Sequence, residues 1–122
     1  MSRKSSITTL AITVLAFGTL AAQAHPKMLQ SFPARDAKLN AAPREVRMTF
    51  SEGLIANFSG LELKDGRGKS IATGKPALVP NNKTLVVPVT ARLAPGNYTV
   101  AWHAVSVDTH RVSGSYGFKV AR

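Results

Sequence analysis

Beyond Ala24, no stretch of this 122-residue chain keeps a helical period over ten residues, while short runs of strict apolar–polar alternation recur along it. Strands are therefore the regular element this chain can build. The alternation is clearest in Glu45-Val46-Arg47-Met48-Thr49-Phe50, which puts Val46, Met48 and Phe50 on one face of a half-buried strand. Similar runs occur at Leu61 to Lys64, Leu85 to Val89, Tyr98 to Ala104 and Tyr116 to Val120. Between them stand Asp65-Gly66-Arg67-Gly68, Pro80-Asn81-Asn82 and Ala94-Pro95-Gly96-Asn97, groups that fix φ or tolerate positive φ and so make turns. About seven short strands in about 100 residues predict an all-β fold, a Greek-key antiparallel β-sandwich of immunoglobulin size. Trp102 is the large side chain suited to fill the space between its sheets.

The first 24 residues follow a different rule. A basic start with Arg3 and Lys4, an apolar stretch from Ile7 to Leu20 and the small-residue end Ala22-Gln23-Ala24 make a secretory signal peptide. The apolar stretch carries four threonines and is shorter than the roughly 20 residues of a spanning helix, so a retained anchor is disfavoured. The expected organisation is a leader over residues 1–24 and one sandwich domain over residues 25–122, exported and not membrane-spanning once cleaved.

Composition closes several functional classes. With no cysteine, the chain cannot be a disulfide scaffold, a zinc ribbon, an iron–sulfur protein or a thiol enzyme. Removing Arg3 and Lys4 from the 16 Lys+Arg leaves 14 against 6 Asp+Glu, a mature net charge of 14 − 6 = +8. These cations are scattered along the chain with no interleaved aromatics to stack bases, which argues against a nucleic-acid partner. A solvated basic surface, or one facing anionic lipid or envelope polymer, fits better. No Ser-His-Asp arrangement, phosphate-cradling glycine loop or HExxH motif supports a hydrolase or nucleotide reading.

The remaining chemistry lies with the histidines. Cleavage after Ala24 would make His25 the first residue, giving one ion both an α-amine and an imidazole. Pro26 has no amide N–H, so chelation from this end stops at those two nitrogens. Near the other end, Val107-Asp108-Thr109-His110 read as an extended segment puts Asp108 and His110 on one side, about 7 Å apart. Two imidazoles, an amine and a carboxylate suit Cu(II), with zinc second. The bland alternative for Asp108-Thr109-His110 is a polar turn in which Asp108 caps backbone amides. His103 falls on the opposite face of its strand from Tyr98, Val100 and Trp102, facing solvent or a neighbouring strand, and is not expected to bind metal.

The start His25-Pro26, the strand end Phe50-Ser51-Glu52, Pro95-Gly96-Asn97-Tyr98 and above all Trp102-x-Ala104-Val105-Ser106-x-Asp108-Thr109-His110 followed by Gly114 resemble the CopC family of periplasmic copper-binding proteins. The resemblance covers nearly all of the chain after the leader. It implies a cupredoxin-like sandwich that binds one Cu(II) ion through the amine and ring of His25, Asp108 and His110. Glu52 stands where the family has an acidic residue near the metal, as a hydrogen-bond acceptor or an axial, water-mediated contact. Some members also bind Cu(I) on a methionine-rich loop. Here only Met28 and Met48 follow the leader and residues 61–79 hold none, so no separate Cu(I) site is expected.

Three functions compete on these residues. The first is a periplasmic protein of copper resistance or homeostasis that sequesters or delivers Cu(II) without turnover, beside a CopD-like inner-membrane protein as the resemblance implies. The second is a histidine-brace copper monooxygenase-like enzyme. Asp108 as a direct ligand would fill the plane that oxygen needs, and no set of surface aromatics suited to gripping sugars is evident. The third is a structural sandwich domain with incidental histidines.

Overall fold

The computed structural model describes Ala11 and residues 25–122; the expected signal peptide otherwise lies outside the described residues. Nine strands follow in order: β1 (Met28–Phe32), β2 (Lys38–Leu39), β3 (Glu45–Phe50), β4 (Gly60–Asp65), β5 (Ser70–Ile71), β6 (Ala77–Leu78), β7 (Thr84–Pro88), β8 (Gly96–Val105) and β9 (Arg111–Val120). They form two sheets, ordered β1-β3-β7-β6 and β2-β9-β8-β4-β5, in the expected β-sandwich. The pairs are antiparallel except for the short parallel pairing of β2 with β9. Three of the nine, β2, β5 and β6, are only two residues long, too short to leave a periodic signal.

The alternation of β3 holds: Val46, Met48 and Phe50 are fully buried, while Arg47 between them is exposed and pairs with Glu45 at 3.0 Å. Leu85 and Val87 from β7 complete this inner face, and Leu63, Val100, Tyr116, Phe118 and Val120 supply the other. Each fully buried aliphatic or aromatic side chain contributes about 1.5–3 kcal/mol. Phe50 meets Trp102 edge to face across the sandwich, with ring centroids 5.4 Å apart. Trp102 thus fills the space between the sheets, as its size predicts.

Two stretches depart from the sequence pattern. β9 begins at Arg111, where it pairs with Val105, five residues before the alternating run at Tyr116; its first half is interrupted in the sequence by Gly114, which stands directly opposite Trp102. A Cβ on Gly114 would lie 2.6 Å from the indole Cζ2, so the glycine that reads as a strand breaker makes room for the tryptophan. β1 is an edge strand whose register against β3 shifts between Met28 and Gln30, and that irregularity hides it from a period-2 search.

The β8–β9 hairpin runs the length of the domain in ten consecutive pairs, from Gly96↔Val120 to Val105↔Arg111. It gives the sandwich two poles. The Val105–Arg111 end also receives the start of β1, the end of β3 and the start of β4.

Candidate metal centre

At this pole three segments meet: residues 25–27, 51–55 and 106–110. Pro26 is buried, and Lys27 exchanges two hydrogen bonds with Ser51. Its amide donates to Ser51 Oγ at 2.9 Å, and its carbonyl accepts from the Ser51 amide at 2.8 Å. These bonds carry the β1–β3 pairing past Met28↔Phe50 and fix where the chain enters at His25. The segment after Ser51 turns toward the loop between β8 and β9. Val107 N–H donates to Gly53 O at 2.9 Å, Leu54 bridges Ser106, and Ile55 N–H donates to Val105 O at 2.9 Å.

The 106–110 loop is a turn, the alternative that the sequence offered beside an extended segment. Ser106 N–H donates to His110 O at 2.9 Å and Thr109 N–H to Ser106 O at 2.8 Å, while Thr109 adopts φ 72°. A β-branched residue in the left-handed region is uncommon and costs energy, which the surrounding bonds must offset. Ser106, fully buried, is the hub: its hydroxyl contacts Asp108 Oδ1 and accepts from His110 N–H at 3.2 Å. The turn therefore achieves by folding back what an i, i+2 alternation would have achieved by extension.

Asp108 Oδ2 lies 3.0 Å from His110 Nδ1. That nitrogen is buried yet has no hydrogen-bond partner of acceptable geometry, so proximity alone relates the two atoms. The His25 ring meets the His110 ring edge to face, with centroids 5.1 Å apart and planes at 71°. His25 and Asp108 are exposed and His110 is half-buried, so the assembly opens to solvent on the side away from Ser106. The Asp108 carboxyl is held below the usual aspartate value of 3.8, first by the Ser106 hydroxyl and next by the His110 side chain, against a smaller opposing effect of desolvation. It carries its negative charge at neutral pH.

The structure thus brings together residues from the two ends of the domain, His25 with His110 and His110 with Asp108. Among the described residues no three imidazoles and carboxylates form a ready-made cage, and the two rings meet by their edges. Glu52 is half-buried, one residue beyond the Ser51–Lys27 exchange, and among the described residues no hydrogen bond or ion pair to it forms. His103 lies on the outer face of β8, exposed and opposite Gly60, where a Cβ would come within 3.4 Å of its Cε1. Met48 is fully buried core, and Met28 is half-buried against it. Sequence reasoning missed Ser106 and the Ser51 clamp. A serine directly after the last apolar residue of a strand and two before an aspartate was the available signal for a side-chain-stabilised turn.

This donor set fits a borderline divalent ion. An unpartnered imidazole nitrogen, an ionised carboxylate and a second, exposed imidazole lie together, and copper favours such nitrogen and oxygen donors. The surface depressions of about 580 and 470 Å³ are not lined by His25, Asp108 or His110, and an ion site needs side-chain atoms and no cavity.

The CopC domain model matches residues 28–121. The chain belongs to the CopC domain family. This CopC chain is 40% identical over 118 residues to copper resistance protein C of Pseudomonas syringae pv. tomato, covering 89% of this chain and 93% of that protein. It is 39% identical over 113 residues to protein YobA of Escherichia coli K12, covering 91% and 90%. Among solved structures it is similar to PcoC of Escherichia coli, described as a methionine-rich copper resistance protein, with a TM-score of 0.70 at 35% identity over 80% of this chain and 99% of that one. Membership of the CopC family carries a copper-related function. Against that methionine-rich relative, this chain has only Met28 and Met48 beyond residue 24.

Proposed function

We propose that the chain, cleaved after Ala24, is a periplasmic protein that binds one Cu(II) ion and sequesters it or hands it to a membrane partner, without catalytic turnover. The ligands are the α-amine and imidazole of His25, the carboxylate of Asp108 and the imidazole of His110. The observation that carries this reading is the meeting of His25 with His110 at 5.1 Å beside an unpartnered His110 Nδ1 that has a carboxylate oxygen 3.0 Å away. Ser106 and the Thr109 turn hold Asp108 and His110 in place. The exposed His25 ring turns to present its nitrogen. Glu52 supports the site through water or a ligand hydrogen bond.

The family resemblance and the donor chemistry support copper over zinc, and the scarcity of methionine supports a site for the oxidised ion alone. A carboxylate in the coordination plane disfavours the reduced state and oxygen activation.

Electron paramagnetic resonance of Cu(II) bound to the protein beginning at His25 tests the reading against the same protein with one glycine added ahead of His25. Loss of one nitrogen donor and a fall in affinity greater than about 100-fold are expected, since even supporting groups cost about 10- to 100-fold. Equal spectra and affinities would remove the amine from the site.

A further inference from the structure

The cations that look scattered along the sequence are not scattered in the fold. The far end of the β8–β9 hairpin, some 30 Å from the histidines at about 3.3 Å per residue, gathers the turn between β4 and β5, the β2–β3 connection, the β7–β8 connection and the C-terminus. Arg67 and Lys69 are exposed on the first of these. Exposed Arg44 and Arg92 border one shallow depression of about 580 Å³, and exposed Lys38, Lys119 and Arg122 border another of about 510 Å³. No acidic side chain lines either depression.

The acids nearby are largely committed. Asp65 accepts from the backbone amides of Arg67 and Lys69 at 2.9 and 3.0 Å, and Glu45 pairs with Arg47 at 3.0 Å, leaving Asp36 exposed beside them. At the histidine pole the charged side chains are Lys27, Lys83 and Arg111 against Glu52 and Asp108, 3 − 2 = +1. The excess positive charge of the domain therefore sits at one end.

We propose that this basic pole is a docking surface for anionic lipid headgroups, holding the protein on a membrane with its histidine pole turned away from the bilayer. The inference stands apart from the copper reading, because none of its residues belongs to the candidate metal centre. A cluster of cations on a blunt face attracts an anionic leaflet over about a Debye length, and several of them acting together give salt-sensitive, reversible attachment. Tyr98 and Phe118 at this end are buried against each other and cannot stack nucleic-acid bases, which leaves Phe32 at the end of β1 as a single exposed ring without a stacking neighbour in the sequence. A protein released by a signal peptide into the periplasm meets anionic phospholipid on the membranes that bound it.

Co-sedimentation of the protein beginning at His25 with vesicles tests this. Vesicles of one part phosphatidylglycerol to three parts phosphatidylethanolamine should bind it, pure phosphatidylcholine should not, and 0.5 M NaCl should release it. The triple variant Arg44→Glu, Arg92→Glu, Lys119→Glu should lose about tenfold or more of the vesicle affinity. The two-site variant Lys83→Glu, Arg111→Glu, at the histidine pole, should keep most of it. Melting temperatures of both variants report whether they fold. The proposal is overturned if the two variants lose binding in proportion to net charge alone, if the wild-type chain ignores phosphatidylglycerol, or if it binds heparin while failing to bind the vesicles.

Discussion

The two poles of this sandwich are built by opposite means. The basic pole is closed by turns that announce themselves, Asp65-Gly66-Arg67-Gly68 with Gly68 at φ 80° and Ala94-Pro95-Gly96 with Gly96 at φ 151°. There Tyr98 Oη donates to Ala94 O at 2.5 Å and locks the β7–β8 connection to the strand it enters. The histidine pole has no glycine or proline in its decisive loop. It relies on a threonine forced to φ 72°, a buried serine and bonds borrowed from residues 51–55. Turns that local chemistry favours are stable by themselves, whereas a loop held by tertiary bonds keeps its shape only while its neighbours hold theirs. Strain of that second kind collects where a fold positions chemistry.

The contrast breaks most sharply at the histidines. His110→Ala should lower Cu(II) affinity by more than about 100-fold, as loss of a direct ligand exceeds the cost of losing a supporting one. His103→Ala, on the outer face of β8, should leave affinity within about twofold. Isothermal titration against a competing chelator reads both, and equal losses would mean that the poles and faces do not divide the chemistry as described.

A smaller effect separates buried hydroxyls at the two ends. Ser106→Ala should cost about 1–3 kcal/mol of unfolding free energy, because the buried turn loses its hub, and should weaken copper binding as well. Tyr98→Phe should cost about 0.5–1.5 kcal/mol with copper affinity unchanged. Denaturant melts paired with copper titrations check the split. A Ser106→Ala protein with full affinity would show that the loop holds its shape without the serine.

The smallest effect is a slope. Asp108 has a folded pKa lowered by Ser106 and His110, so its contribution to stability is complete above the unfolded value near 3.8 and is lost as pH falls toward the folded one. Asp108→Asn should therefore lower metal-free stability at pH 7 and flatten the acid limb, so that the variant and wild-type curves converge as pH falls below 4, as measured by denaturant midpoint against pH. A parallel downward shift across the whole range would place the effect in packing.

What was legible in the sequence follows from the same contrast. Val46, Met48 and Phe50 announced β3 because one face of it is wholly buried, and the Gly-bearing turns at 65–68 and 94–97 marked the basic pole as Pro80-Asn81-Asn82 marked a turn at the other. β1 was hidden by its shifted register, and the first half of β9 by Gly114, whose reason for being there is an indole on the neighbouring strand. The residues His25, Asp108 and His110 could be named from the sequence, but not the way they meet. Asp108 and His110 approach through a polar turn whose left-handed threonine the residue types alone do not specify, and His25 reaches them through Ser51. The gathering of cations was equally invisible, because it depends on which connections share an end of the sandwich.

The Lys27–Ser51 clamp sets how cargo could depart. β1 is paired on one side only, so its first residues can peel from Ser51 at the expense of two hydrogen bonds while β3 stays seated in the core. An ion anchored on the amino terminus would then leave by fraying of an edge, and its residence time would follow that local opening and not the far rarer unfolding of the domain.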